Sequence, residues 1–142
     1  MRYALLIAIT LLFELATAEP AAAVVQFYNI FKAEHLDKHP DQEFATAVNK
    51  AAVKCLVCHQ GKNRKHHNAF GKPLVEMLDR KVDIKKENRE KVVTSIQQVL
   101  EMHVDPNDDK SETYLDRLKA SKWPGGELEE LKKEPPEEEA AE

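Results

Sequence analysis

Glycine is scarce in this sequence, with 4 residues among 142. Loops that wrap phosphate groups depend on glycine, and the sequence has neither a glycine-rich phosphate loop nor the hydrolase patterns G-x-S-x-G and H-E-x-x-H. The apolar-polar alternation that is typical of β-strands is nearly absent as well. These absences argue against the common nucleotide-binding and hydrolase classes, and they predict an all-α fold.

Cysteine is equally rare, and both residues lie in the segment Cys55-Leu56-Val57-Cys58-His59. The pattern C-x-x-C-H is the attachment signature for a c-type haem. Residues three and four positions apart share one face of a helical turn, so both sulfurs reach one edge of a porphyrin while His59 lies under the iron. We therefore predict one covalent haem c, bound through Cys55 and Cys58 with His59 as the proximal iron ligand.

Two other chemistries use similar residues. A structural zinc ion accepts two sulfurs and two imidazoles, here Cys55 and Cys58 with two of His59, His66 and His67. A thioredoxin-like redox pair uses C-x-x-C alone. Zinc modules usually place the second ligand pair about a dozen residues after the first, and redox pairs adjoin a strand-helix-strand pattern that is missing here. Haem is therefore favoured, and a zinc-stabilised interaction module is the less favoured alternative.

The first residues have the pattern of a secretory signal peptide. Arg2 precedes an apolar run from Tyr3 to Phe13, and Ala16-Thr17-Ala18 is a small-residue cleavage site. The run is too short to span a bilayer. We predict a signal peptide over residues 1–18, no transmembrane segment after its cleavage, and a periplasmic or otherwise extracytoplasmic location.

Helical spacing of apolar residues predicts a haem domain over residues 19–126. The first three predicted helices run from Val24 to Phe31, from Phe44 to Cys55 with Asp41 as the cap, and from Phe70 to Leu78. The fourth runs from Val92 to Leu100 and carries Met102 and His103 at its end, before Asp105-Pro106. A short fifth helix, capped by Ser111, contains Tyr114, Leu115 and Leu118.

Charge is distributed unevenly along the chain. Residues 127–142 contain eight Glu and two Lys, which predicts a disordered acidic tail. The whole chain carries a net charge of -4. Residues 127–142 contribute -6 and residues 1–18 contribute zero, so residues 19–126 carry +2. Between Lys54 and Lys72 there are five cations and no carboxylate. This surface is too weakly basic for nucleic acid, but it predicts docking to acidic surfaces on redox partner proteins.

The combined pattern resembles small exported single-haem cytochromes of bacteria. It consists of C-x-x-C-H-x-G, the basic run, and Asn68-Ala69-Phe70-Gly71, and the resemblance covers roughly Phe44 to Gly126. It implies a class I-like cytochrome c domain, all-α, around one covalent haem. It also implies an electron carrier rather than an enzyme, with haem attached outside the cytoplasm.

The resemblance further implies a methionine as the sixth iron ligand, well downstream of the motif. We predict Met102 for this role, because it is the only methionine after Met77 and because Asp105-Pro106 should unwind the end of the fourth helix and let Met102 turn inward. His103 is the close alternative, since helical periodicity places it on the apolar stripe of the fourth helix and Met102 off it. His66 and His67 are less favoured, because they follow His59 so closely that the chain would have to loop around the haem edge to reach its other face. An alternative function follows if the sixth position is open, namely a haem sensor or a peroxidase-like enzyme.

Overall fold

Six α-helices joined by turns and short 3-10 and π-helical segments form the part of the chain that the computed structural model describes, residues 22–62 and 64–136. The helices are α1 (Ala22–Phe31), α2 (Gln42–Val48), α3 (Gly71–Met77), α4 (Arg89–Leu100), α5 (Tyr114–Lys119) and α6 (Leu128–Leu131). No sheet occurs in these ranges, so the all-α prediction is confirmed. The predicted signal peptide, 1–18, lies outside the described residues. None of the described helices has the length and apolar character needed to cross a membrane.

Helix α4 is the central element of the core, and α1, α3 and α5 pack against it. Its buried residues Val92, Ile96 and Val99 follow the helical spacing seen in the sequence. Helix α1 continues into a π-helical turn, Lys32–Leu36, which brings Leu36 into the core. The aromatic ring of Phe31 packs against that of Phe70 at 5.9 Å between centroids.

The second helix is shorter than predicted. Its cap is confirmed, because the Asp41 carboxylate accepts a hydrogen bond from the Phe44 amide at 2.9 Å. The helix ends at Val48, however, and does not reach Cys55. Ala51 and Ala52 lie exposed in a turn. Alanines offer too little apolar surface to hold a helix against the core, so their spacing was a weak signal.

The fourth predicted helix ends at Leu100, several residues before Asp105-Pro106. Beyond it the chain folds back, and the Tyr114 amide donates to the Met102 carbonyl at 3.1 Å. His103 pairs with Thr113 in an isolated antiparallel bridge. Met102 and His103 therefore belong to a hairpin-like turn that pairs with the start of α5.

Thr113, and not Ser111, caps the last predicted helix, which is α5. Its hydroxyl accepts from the Asp116 amide, and the Asp116 carboxylate accepts from the Thr113 amide, each at 3.1 Å. Ser111 lies within the preceding turn and donates to the Asp108 carbonyl. A capping residue that is followed three positions later by a carboxylate satisfies two backbone amides. Thr113 has Asp116 at that position, whereas Ser111 has Tyr114.

The predicted disorder of residues 127–142 is wrong for its first part. Residues 127–136 are described, and α6 buries Leu131 to 3% exposure. Lys132 and Lys133 form ion pairs with Glu129 and Glu130 at 2.6 Å, which offset part of the glutamate repulsion. Residues 137–142 lie outside the described residues.

Candidate functional site

The C-x-x-C-H segment forms a single tight turn. A 3-10 helix spans Lys54–Val57 and Cys58 is its C-terminal cap. The amides of Cys58 and His59 both donate to the Cys55 carbonyl, at 3.3 and 2.9 Å. In a 3-10 helix, residues i and i+3 lie almost directly above one another. The turn therefore aligns Cys55 with Cys58, as the motif's spacing requires.

The Asn68 side chain holds this turn in place. It is 2% exposed, and its amide nitrogen donates to the carbonyls of Leu56, Val57 and His59 at 2.8 to 3.2 Å. Its oxygen accepts from the amides of Phe70 and Gly71 at 3.1 and 2.9 Å. One buried side chain thus joins the motif's backbone to the start of α3.

Two glycines allow the backbone to approach closely here. Gly71 lies so near Cys58 that an added Cβ would overlap the Cys58 carbonyl oxygen. Gly61 follows the motif with a φ of 69°, in the left-handed region that glycine adopts without strain. The loop after His59 then returns antiparallel to the motif, with the Gln60 amide donating to the His66 carbonyl at 3.0 Å.

A cavity of about 470 Å³ opens beside the turn. Cys55, Cys58 and His59 all line it, so the structure brings the three predicted attachment residues to one site. Most of its remaining wall is apolar and comes from α1, α3 and α4. These residues are Val25, Phe27, Phe31, Phe70, Leu74, Val75, Leu78 and Ile96. The volume is within the range of cofactor and ligand sites, about 300 to 1,000 Å³.

The His59 imidazole is buried and neutral. Burial, followed by the nearby His67, lowers the pKa of His59 to about 4. Its Nδ1 lies 3.2 Å from the His66 carbonyl oxygen and must be the protonated nitrogen if it donates there. That tautomer leaves a lone pair on Nε2. A neutral imidazole oriented by such a carbonyl is the usual form of a metal-ligating histidine.

The ionisation of the Cys58 thiol is disfavoured by its surroundings. Burial, followed by the proximity of Cys55, raises the pKa of Cys58 to about 12. Cys58 therefore remains a neutral, weakly reactive thiol in this environment.

His67 is a second imidazole in the cavity lining, which sequence reasoning considered as a zinc ligand but did not place beside His59. His59 and His67 are directly opposite each other in an antiparallel bridge. Their ring centroids are 4.6 Å apart and the planes are tilted by 37°. Directly opposed residues of an antiparallel pair project to the same side. His67 therefore packs beside His59 rather than across the cavity from it.

Four cations contribute to the lining, and among the described residues no carboxylate does. They are Lys54, Arg64, Lys65 and Arg80. The Lys54 ammonium lies 6.0 Å from the ring centroid of Tyr28, and the Tyr28 hydroxyl donates to the Asn49 side chain at 3.0 Å. Burial raises the pKa of Tyr28 to about 12, so this phenol stays protonated. The cavity thus combines apolar walls with positive charge.

The predicted sixth ligands lie elsewhere. Neither Met102 nor His103 contributes to the cavity lining. The Met102 side chain is 40% exposed. His103 is half-buried, and its Nδ1 lies 2.6 Å from the Ser111 carbonyl oxygen. The structure therefore joins Cys55, Cys58 and His59 in one site and separates both distal candidates from it.

The donor set fits a haem better than it fits zinc. The two thiols match the vinyl groups of a porphyrin, and the neutral imidazole matches its iron. The apolar wall matches the ring faces, and the nearby cations match the propionates. Within residues 22–62 and 64–136, no three His, Cys, Asp or Glu side chains converge closely enough to hold a bare metal ion. Structural zinc requires four ligands in a tetrahedron, so the zinc alternative has no geometric support.

Sequence reasoning predicted Cys55, Cys58 and His59 as attachment residues but did not predict the side chains that position them. Asn68 was noted only as part of a resemblance, although a buried asparagine with five backbone partners fixes the turn. The pairing of His67 with His59 could have been found from the reversal at Gly61, because a tight return places residues on either side of it in register.

No protein-family model, curated protein or solved structure matches this chain. What the protein does must therefore be inferred from its own residues.

Proposed function

We propose that this protein is an exported monohaem c-type cytochrome with a class I-like helical domain, which carries single electrons between redox partners. The observation that supports the proposal most strongly is that Cys55, Cys58 and His59 line one apolar cavity of a suitable volume. In this proposal, Cys55 and Cys58 hold the haem c covalently and His59 binds its iron. The haem supplies a one-electron couple.

The protein's own residues bind and orient the cofactor and exclude water. The His66 carbonyl sets the His59 tautomer, and the His67 ring limits rotation of the His59 ring. Asn68 keeps the turn rigid, so that the two sulfurs and the imidazole retain their relative positions. The phenylalanine and leucine side chains of the wall keep water from the ring faces, which lowers the reorganisation that accompanies a change of charge.

The redox partners in this proposal present acidic surfaces. Arg64, Lys65 and Arg80 contribute positive charge to the cavity lining, and Val25 and Val75 beside them are exposed apolar residues. Complementary charge speeds the encounter of two proteins. Export of the chain is proposed from residues 1–18 alone.

A redox titration of the haem-loaded protein tests the function. The expected result is a reversible one-electron transition, with about 59 mV per tenfold change in the ratio of oxidised to reduced protein. Rapid electron exchange with a second redox protein should accompany it. The variant Cys55→Ser with Cys58→Ser is the matched control and should show neither. A haem-loaded protein that neither accepts nor returns an electron would contradict the proposal.

A further inference from the structure

We infer that the sixth position of the haem iron is open and faces an apolar wall, where it binds a small neutral diatomic molecule. This inference rests on the proposed function, because it concerns the same haem. It departs from the expectation that a methionine fills that position, and it depends on where the candidate ligands are held.

Met102 is held away from the cavity by its backbone. Its amide donates to the Val99 carbonyl at 3.0 Å, and its carbonyl accepts from the Tyr114 amide at 3.1 Å. Tyr114 is in turn anchored, because its ring packs on Phe70 at 5.6 Å and its hydroxyl donates to the Ala69 carbonyl at 3.0 Å. Moving the Met102 sulfur into the cavity would require breaking this pairing.

His103 is committed to a partner of its own. Its Nδ1 lies 2.6 Å from the Ser111 carbonyl oxygen, and its backbone pairs with Thr113. The neighbouring amide of Val104 donates to the Glu112 carbonyl at 2.9 Å. The imidazole thus stabilises the turn between α4 and α5.

His67 lies on the wrong side to be the second axial ligand. Two axial imidazoles must lie on opposite sides of the porphyrin plane, whereas His59 and His67 project together from one antiparallel bridge. With 4.6 Å between centroids, their rings contact each other and leave no room for a porphyrin between them.

The other polar groups of the described lining are poor iron ligands. The Tyr28 hydroxyl donates to Asn49. Lys54 and Lys65 carry ammonium groups, which have no lone pair, and arginine has none to offer either. What remains of the wall is apolar, including Phe27, Phe31 and Leu74.

The chemical class of the ligand follows from that wall. Carbon monoxide and nitric oxide are small and uncharged, and they bind reduced haem iron without a hydrogen-bond donor from the protein. The polarity and donors of a distal pocket decide which ligands it favours, and these apolar side chains supply none. Neutral diatomic molecules therefore fit this wall.

Optical spectra of the haem-loaded full chain, with carbon monoxide as the probe, test the inference. The expected spectrum of the reduced protein is five-coordinate and high-spin, and carbon monoxide should shift its Soret band at stoichiometric concentration. Met102→Ala and His103→Ala should each reproduce the wild-type spectra with and without the gas.

A low-spin six-coordinate spectrum of the wild type would overturn the inference, whether or not either variant converts it to high spin. That result would leave the covalent haem of the proposed function intact. Failure of the wild-type chain to carry haem would contradict both, so the two outcomes are distinguishable.

Discussion

Asn68 is the residue whose loss should disturb the attachment turn most. Replacing Asn68 by Ala leaves the carbonyls of Leu56 and His59 and the amide of Phe70 without a buried partner. Each unsatisfied buried group costs about 1 to 3 kcal/mol, so we expect the free energy of unfolding to fall by at least that amount. Urea unfolding of the haem-free chain measures it.

Asn88 provides a control for Asn68. Its side chain also donates to a carbonyl, that of Val82 at 2.9 Å, but the bond is exposed to water. Asn88→Ala should therefore cost under about 1 kcal/mol, because water replaces the lost partner. If both variants unfold at the same urea concentration, Asn68 does not hold the turn as described.

Asp83 should make the stability of the protein pH-dependent in acid. The side chain is 2% exposed, and a hydrogen bond from Lys91 at 2.6 Å, followed by one from the Asp79 amide at 2.8 Å, holds the pKa of its carboxyl below the usual range. A lowered pKa stabilises the fold above the ordinary aspartate pKa, and that contribution is lost as the pH falls through the lowered value.

The variant Asp83→Asn isolates this contribution. At neutral pH it should unfold at a lower urea concentration than the wild type. The difference should shrink as the pH falls from the ordinary aspartate pKa through the lowered one, because the carboxyl of the unfolded wild-type chain is protonated first and that of the folded protein only at the lower value. A difference between the two midpoints that stays constant from pH 7 to strong acid would show that the charge of Asp83 is not what stabilises the fold.

At the scale of elements, α6 joins the acidic C-terminal segment to the loop after the attachment motif. The Gly61 amide donates to the Leu131 carbonyl at 2.8 Å, and the Lys62 amide donates to the Glu134 carboxylate at 2.7 Å. Leu131 itself is buried. The segment that sequence reasoning took for a disordered tail therefore covers the loop next to His59.

Leu131→Ala tests this connection. Truncating a buried leucine costs about 2 to 5 kcal/mol when the whole fold depends on it. Because α6 is short and peripheral, we expect the low end of that range and a local opening. Hydrogen exchange at the amides of Gly61 and Lys62 should accelerate, whereas exchange at Val99 in the core should not. Leu128→Ala, at a half-buried position, should change neither.

Periodicity in the sequence was a sound guide only where large apolar side chains carry it. The stripe of Val92, Ile96 and Val99 gave α4 correctly, since such residues gain most from burial. Ala51 and Ala52, before Cys55, continue the helical spacing of apolar residues, but both are exposed and the helix ends at Val48. In the C-terminal segment the composition of eight glutamates predicted disorder, but the burial of Leu131 is enough to anchor a turn of helix.

The grouping of the predicted attachment residues at one site could be foreseen, because Cys55, Cys58 and His59 are close in sequence. One local turn brings them together. A sixth ligand must come from a distant part of the chain, and its position depends on how the turn after α4 packs. Sequence spacing does not determine that packing, and the structure separates Met102 from the cavity.

At the scale of the whole molecule, the cations of the loop after the C-x-x-C-H motif, Lys62, Arg64 and Lys65, should control association with redox partners. Replacing Lys62, Arg64 and Lys65 by Gln should slow electron exchange with an anionic acceptor at low ionic strength by about tenfold or more, because steering by complementary charge is lost. The difference should fade near 0.15 M salt, where screening acts over about 8 Å. Stopped-flow kinetics across a salt series measures it.

A matched variant separates local charge from net charge. Lys85, Lys86 and Lys119 are exposed and lie outside the cavity lining. Replacing these three by Gln removes the same charge at other places on the surface and should slow the exchange less. Equal rates for both triple variants at low salt would show that only the net charge matters.

The covalent attachment of haem by Cys55 and Cys58 is the central claim, and intact-mass measurement tests it most directly. The chain is produced together with a haem-attachment system, extracted with acidified acetone and weighed. The wild-type protein should retain the mass of one haem, and Cys55→Ser with Cys58→Ser should have the mass of the polypeptide alone. Haem that leaves the wild type on extraction, or that stays on the double variant, would contradict the account.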